Sequence, residues 1–126
     1  MTIEKAIFLA DELKPNQIER ARKIEWLTRL DHRFYRDIMC RHEKDENVPD
    51  EFVAYRQSTD GDTELLIKAP YDEVYRFYLE MQIDLANQEY DRYNNSAMLY
   101  HNAWGEAVRA YHREHRPLNQ GDYLRF

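Results

Sequence analysis

The chain has 126 residues and a net charge of −6, with 43% hydrophobic, 13% aromatic and 33% charged residues but only 3 Gly and 4 Pro. This is one domain's worth of sequence with apolar content for a core, and the scarcity of helix breakers favours an all-α domain. The acidity disfavours a nucleic-acid or anionic-membrane binder, the single cysteine, Cys40, excludes an internal disulfide, and no apolar run approaches the roughly 20 residues that span a bilayer.

In chain order, Thr2 is the expected cap of a first helix over about 2–14, with Ile3, Ile7, Ala10 and Leu13 as its apolar stripe and Pro15 as its stop. A second helix is expected over about 16–41. Asn16 and Glu19 have the spacing of a capping box, and Ile18, Ala21, Ile24, Leu27, Leu30, Phe34 and Ile38 follow at helical steps. Its outer face is read as mixed in sign, Arg20, Arg22, Lys23, Arg29, Arg33 and Arg36 against Glu19, Glu25, Asp31 and Asp37, the pattern of a solvated helix.

Residues 42–50 read as a charged loop. Beyond it, the apolar runs 52–55 and 63–67 flank an Asp60-Gly61 turn signal, so a short β-hairpin or loop excursion is expected between helices 2 and 3. Such a hairpin is marginal unless it packs on something, and in an assembly it becomes a contact arm. Pro70 leads into a third helix over about 72–93, capped by Asp72 and Glu73, whose apolar surface is too wide for one neighbour. Asn94, Asn95 and Ser96 are read as the break before a fourth helix over about 96–115, with Leu99, Ala103, Ala107, Ala110 and Tyr111 facing inward. Residues 117–126 lack a helical period and are expected to form a flexible tail carrying Tyr123, Leu124 and Phe126.

The expected architecture is therefore a single four-helix bundle-like domain over 1–126. No catalytic, cofactor-binding or metal constellation emerges from its residues. His112 and His115 can share a helix face with Glu114 between them, and His42 precedes Glu43, but neither has the spacing of a zinc motif. His32 and His101 stand alone, Cys40 has no base near it in sequence, and the acid pairs Glu43 with Asp45 and Asp60 with Asp62 fall in loops. The absence of a charged-then-apolar leader over 1–13 points to a reducing cytoplasm.

One pattern runs through most of the chain. It comprises Leu13-Lys14-Pro15-Asn16, Trp26-Leu27, Leu30-Asp31, Ile38 ahead of His42-Glu43, Glu64-Leu65-Leu66-Ile67 and Ala69-Pro70-Tyr71-Asp72. It continues through Tyr75, Tyr78-Leu79, Gln82-Ile83-Asp84, Glu89-Tyr90, Arg92-Tyr93-Asn94-Asn95-Ser96 and Arg116-Pro117. In this the chain resembles the head-to-tail connector, or head-completion adaptor, proteins of long-tailed bacteriophages and prophages.

The resemblance implies a non-enzymatic virion assembly protein, located at the head–tail junction and assembled in the host cytoplasm. It implies docking on the portal protein, self-association into a ring of about twelve subunits, and a platform for a tail-side head-completion or tail protein. DNA then passes the channel without specific binding, since about twelve subunits at −6 each present roughly −70 charges to the duplex. Portal contact is expected from Tyr123, Leu124 and Phe126, and subunit contact from the hairpin residues Phe52, Tyr55, Leu65 and Ile67. No cofactor is implied. The alternative is a small cytoplasmic helical interaction or regulatory module that uses its tyrosine-rich face.

Overall fold

The computed structural model describes residues 1–43, 46 and 48–118. The fold is all-α: α1 (Ile3–Leu13), α2 (Arg20–Asp37) followed by a 3-10 turn at Met39–Arg41, α3 (Glu73–Ala86) and α4 (Tyr90–Glu114). Apolar periodicity accounts for the elements. On α2, Ile24, Leu27, Leu30 and Phe34 are buried, and on α3 Val74, Tyr75, Tyr78, Leu79 and Ile83. Each full burial of such a side chain contributes about 2 kcal/mol. Helix α3 packs on α4 most extensively and also on α1 and α2, which answers its wide apolar surface. Helices α2 and α4 meet through large rings instead, Phe34 lying edge-on to Trp104 and Tyr111 at centroid distances of 5.8 and 5.5 Å.

The helix ends show which local signals prevailed. Thr2 caps α1 as its side chain accepts from the Lys5 amide at 3.1 Å. Helix α2 begins at Arg20, four residues later than the spacing predicts. Asn16 does not cap it: its Oδ1 accepts from the Ile18 amide at 3.0 Å, and its Nδ2 donates to the Lys14 carbonyl and to Asp11 at 2.8 and 2.9 Å. An Asn side chain that finds partners this close holds a turn in place of a helix start.

The α3–α4 junction is at Asn87, Gln88 and Glu89, not at Asn94, Asn95 and Ser96. Gln88 has φ 59°, the left-handed conformation that ends many helices and that glycine adopts most readily. Asn94, Asn95 and Ser96 lie within α4, where Ser96 is buried and donates to the Asp84 carboxylate of α3 at 2.6 Å. Tertiary bonding outweighs the weak helix propensity of that tripeptide, a few tenths of a kcal/mol per residue. Of the residues expected to face inward on α4, Ala107 and Ala110 are buried, whereas Leu99 points outward and Tyr100 takes the core position.

Among the described residues there is no strand, so the excursion between α2 and α3 is a loop and not a hairpin. The groups a hairpin ladder would use are bonded elsewhere. The Tyr55 amide donates to Thr28 Oγ1 at 3.1 Å, the Ile3 amide to the Thr63 carbonyl at 3.1 Å, and the Leu65 amide to the Met1 carbonyl at 2.9 Å. An isolated two-stranded ribbon would gain less than these contacts with the bundle provide.

Candidate functional site

Residues 48–71 run as a strap across α2 and leave a groove of about 630 Å³ against the C-terminal half of α4. Phe34, Met39, Leu65 and Ile67 are its apolar floor, Phe52 and Val53 one wall, and Ala107, Ala110 and Tyr111 the other, with Glu51, Glu64, Lys68 and Glu114 among the charged lining residues. A largely apolar concavity with a few charges is the form of a docking site for a side chain or peptide segment.

The strap is held by Asp31, which is fully buried. Its Oδ2 accepts from the Tyr55 hydroxyl at 2.6 Å and the Leu66 amide at 3.1 Å, and its Oδ1 accepts from the Tyr75 hydroxyl at 2.5 Å. Tyr75 in turn accepts from the Ile67 amide at 2.6 Å. Burial pushes the Asp31 carboxyl up to about 6, and the hydrogen bonds from Tyr55, Tyr75 and Leu66 restrain the rise. The same burial, with the adjacent carboxylate, raises the Tyr55 and Tyr75 phenols, so both remain donors. His32 stacked on Phe52 at 5.1 Å and the Tyr35 hydroxyl donating to the Pro49 carbonyl at 2.7 Å fix the far end of the strap.

A second polar node closes the end of α4. His42 is buried, its Nδ1 donating to the Ile38 carbonyl at 2.6 Å. That assignment leaves Nε2 to accept from His112 Nδ1 at 2.7 Å. Burial, and then His42, hold the His112 pKa below the ordinary imidazole value. The main chain reinforces the closure: the Glu43 amide donates to the Arg116 carbonyl at 2.7 Å and the Leu118 amide to Arg41 at 2.8 Å. Two imidazoles fall short of a closed metal site, and among the described residues no three His, Cys, Asp or Glu side chains converge. No described helix is long and apolar enough to cross a membrane.

Of the residues expected to make subunit contacts, Leu65 and Ile67 are buried in the core and Phe52 and Tyr55 are half-buried against it. The apolar surface of Leu65 and Ile67 lies within the bundle, while Phe52 and Tyr55 also line the groove. Tyr123, Leu124 and Phe126 lie outside the described residues. His32 and His101 are exposed, while Cys40 is a half-buried free thiol packed on the core.

Asp31 belongs to the interior and not to the solvated face its sign suggests. A signal for this was present, since Asp31 lies four residues after Leu27 and seven after Ile24, on the buried stripe itself. Lys23, read as an outer cation, is also buried and pairs with Asp11 at 2.8 Å. Comparison with known proteins adds nothing to this geometry: no family model, no curated protein and no solved structure matches the chain.

Proposed function

We propose that the chain is a structural docking subunit, a head-to-tail connector of the phage and prophage kind its residue pattern resembles. It would seat on a portal ring and extend the DNA channel towards the tail. The observation that carries the reading is where the patterned residues fall. Lys14, Asp31, Leu65, Ile67, Tyr75, Asp84 and Ser96 are the points at which helices and strap are fastened together. Such residues specify a fold, and they leave the contacts to the outer surfaces.

Those surfaces carry several large exposed apolar side chains. Phe8 and Leu13 on α1 and Met98 and Leu99 on α4 are each more than half exposed, and Val53 on the strap is 75% exposed beside the groove. Exposed large apolar groups on two helices and a groove rim are the raw material of protein interfaces.

The test is to mix the full chain with the portal protein encoded beside it and to examine the mixture by negative-stain microscopy and sizing. The expected result is an added ring layer on the portal. A chain that remains separate from the portal over a range of salt and concentration overturns the connector reading. It would favour the second one, a helical interaction module that uses the 630 Å³ groove for a peptide segment.

A further inference from the structure

We infer that the arginine-lined cleft on α2 is a contact surface for a second copy of this chain, and that it receives the acidic turn carrying Asp60 and Asp62. The contact would join subunits within the proposed ring and in that sense rests on the connector reading, but it is testable without a portal.

The cleft has a volume of about 420 Å³ and is lined by Arg29, His32, Arg33 and Arg36 of α2 together with Tyr78 of α3 and Tyr100 of α4. Two of its three arginines are paired at the surface, Arg29 with Glu25 at 3.1 Å and Arg36 with Asp37 at 3.2 Å. Arg29, Glu25 and Arg36 are largely solvent-exposed and Asp37 is half-buried, and ion pairs so exposed hold weakly. Arg33 lies 4.6 Å over the Trp104 ring, and among the described residues no carboxylate is within ion-pairing distance of it. Guanidinium groups beside phenol rings form a recognition surface for carboxylates.

The chain supplies the complement. Charge is segregated along the sequence: residues 20–41 hold seven basic and three acidic side chains, whereas residues 42–73 hold three basic and ten acidic. With Asp31 and Lys23 both buried, the surface of α2 keeps the same excess of basic over acidic side chains. The acidic turn is also preorganised. The Thr63 amide donates to the Asp60 carbonyl at 3.0 Å, and the Asp62 amide to Asp60 Oδ1 at 2.9 Å. The Glu4 amide donates to the Gly61 carbonyl at 3.0 Å, anchoring the turn to α1. Asp60 and Asp62 remain exposed, so little ordering entropy opposes docking.

A chain's own turn does not reach its own cleft. The strap is tethered at the start of α2, where Arg20 donates to the Gln57 carbonyl at 3.5 Å. Arg33 lies thirteen residues further along that helix, about 20 Å at 1.5 Å per residue. The turn of one copy therefore meets the cleft of another. Two different patches in contact make a heterologous interface, the kind that propagates into a ring or filament.

Sedimentation velocity on the full chain over a concentration series is the test, at low salt and again at about 0.5 M. The expected result is self-association that weakens at least tenfold in high salt. Arg29→Glu with Arg36→Glu should abolish it, as should Asp62→Lys with Asp60→Asn, which keeps the turn's acceptor, while both variants retain the wild-type circular dichroism. Mixing the two variants should restore association, because the intact turn of the first fits the intact cleft of the second. A wild-type chain that stays monomeric at about 1 mM in low salt overturns the inference. So does association that survives either pair of substitutions, or that mixing fails to restore. A portal layer that forms normally with both variants removes this contact and leaves the connector reading intact. Charge-swapped association without portal binding does the reverse.

Discussion

Asp31 and Asp84 are both buried, at 0% and 2% exposure, but the two regions neutralise their carboxylates by different means. Asp84 has a cation, Lys14 Nζ at 3.1 Å, together with the Ser96 hydroxyl, and it fastens α1 and α4 to α3. Asp31 has no cation within ion-pairing distance among the described residues. It relies on two phenols and one amide, and it fastens the strap to α2 and α3. An ion pair at a partly open edge tolerates loss of a partner because the remaining charge can turn to water. A carboxylate held by neutral donors in the interior has no such escape, and neither do its donors.

The largest effect expected from breaking this contrast is therefore at Asp31. Asp31→Ala strands two phenols and an amide in the core and should cost roughly 3–5 kcal/mol in urea unfolding, with the strap becoming protease-sensitive. Next comes pH. Folding raises the Asp31 pKa from 3.8 to about 6, so the folded state holds this proton more tightly than the unfolded one. Its contribution is thus fully present below pH about 4 and is lost as pH rises to about 6, a change of about 3 kcal/mol. Asp31→Asn should remove that component, so the stability gap between variant and wild type should shift by about this amount between pH 4 and 7. His112 has the opposite sign: its pKa is lowered on folding, so its contribution is lost as pH falls below the ordinary imidazole range.

Asp84→Ala should cost less than Asp31→Ala, about 2 kcal/mol, because the Lys14 side chain is already 22% exposed and can hydrate. Equal losses at the two sites would refute the distinction between them. The smallest effect is expected at the α3–α4 junction. Gln88→Gly should stabilise the chain by about 0.5–1 kcal/mol, since glycine enters the left-handed conformation at φ 59° without the side-chain penalty.

The division between what was legible and what was not follows the range of the interactions. Thr2 caps α1 where local chemistry places it, and Glu73 falls in the first turn of α3, but Asp72 at the start of α3 makes no capping hydrogen bond and accepts instead from the Met1 amino group at 3.2 Å. Signals that compete locally were misread. Asn16 makes a turn, and Ser96, which has the look of a helix cap, bonds across to Asp84. The apolar runs at 52–55 and 63–67 have the spacing of a hairpin, but their polar groups found Thr28, Met1 and Asp31 instead of each other. The basic cleft draws its phenols from α3 and α4, so no window of the sequence contains it.

By itself, the sequence determined the all-α class, four helices, a central α3 and the excursion after α2, because helical periodicity and breaker scarcity act over a few residues. Only the tertiary structure decided that Asp31 is interior, that the excursion is a strap, that His42 meets His112 and that the chain turns at Gln88. The first three depend on partners eight to seventy residues away, and the last on a left-handed Gln88 that no glycine marks, closed by the Glu89 amide donating to the Asp84 carbonyl at 2.9 Å.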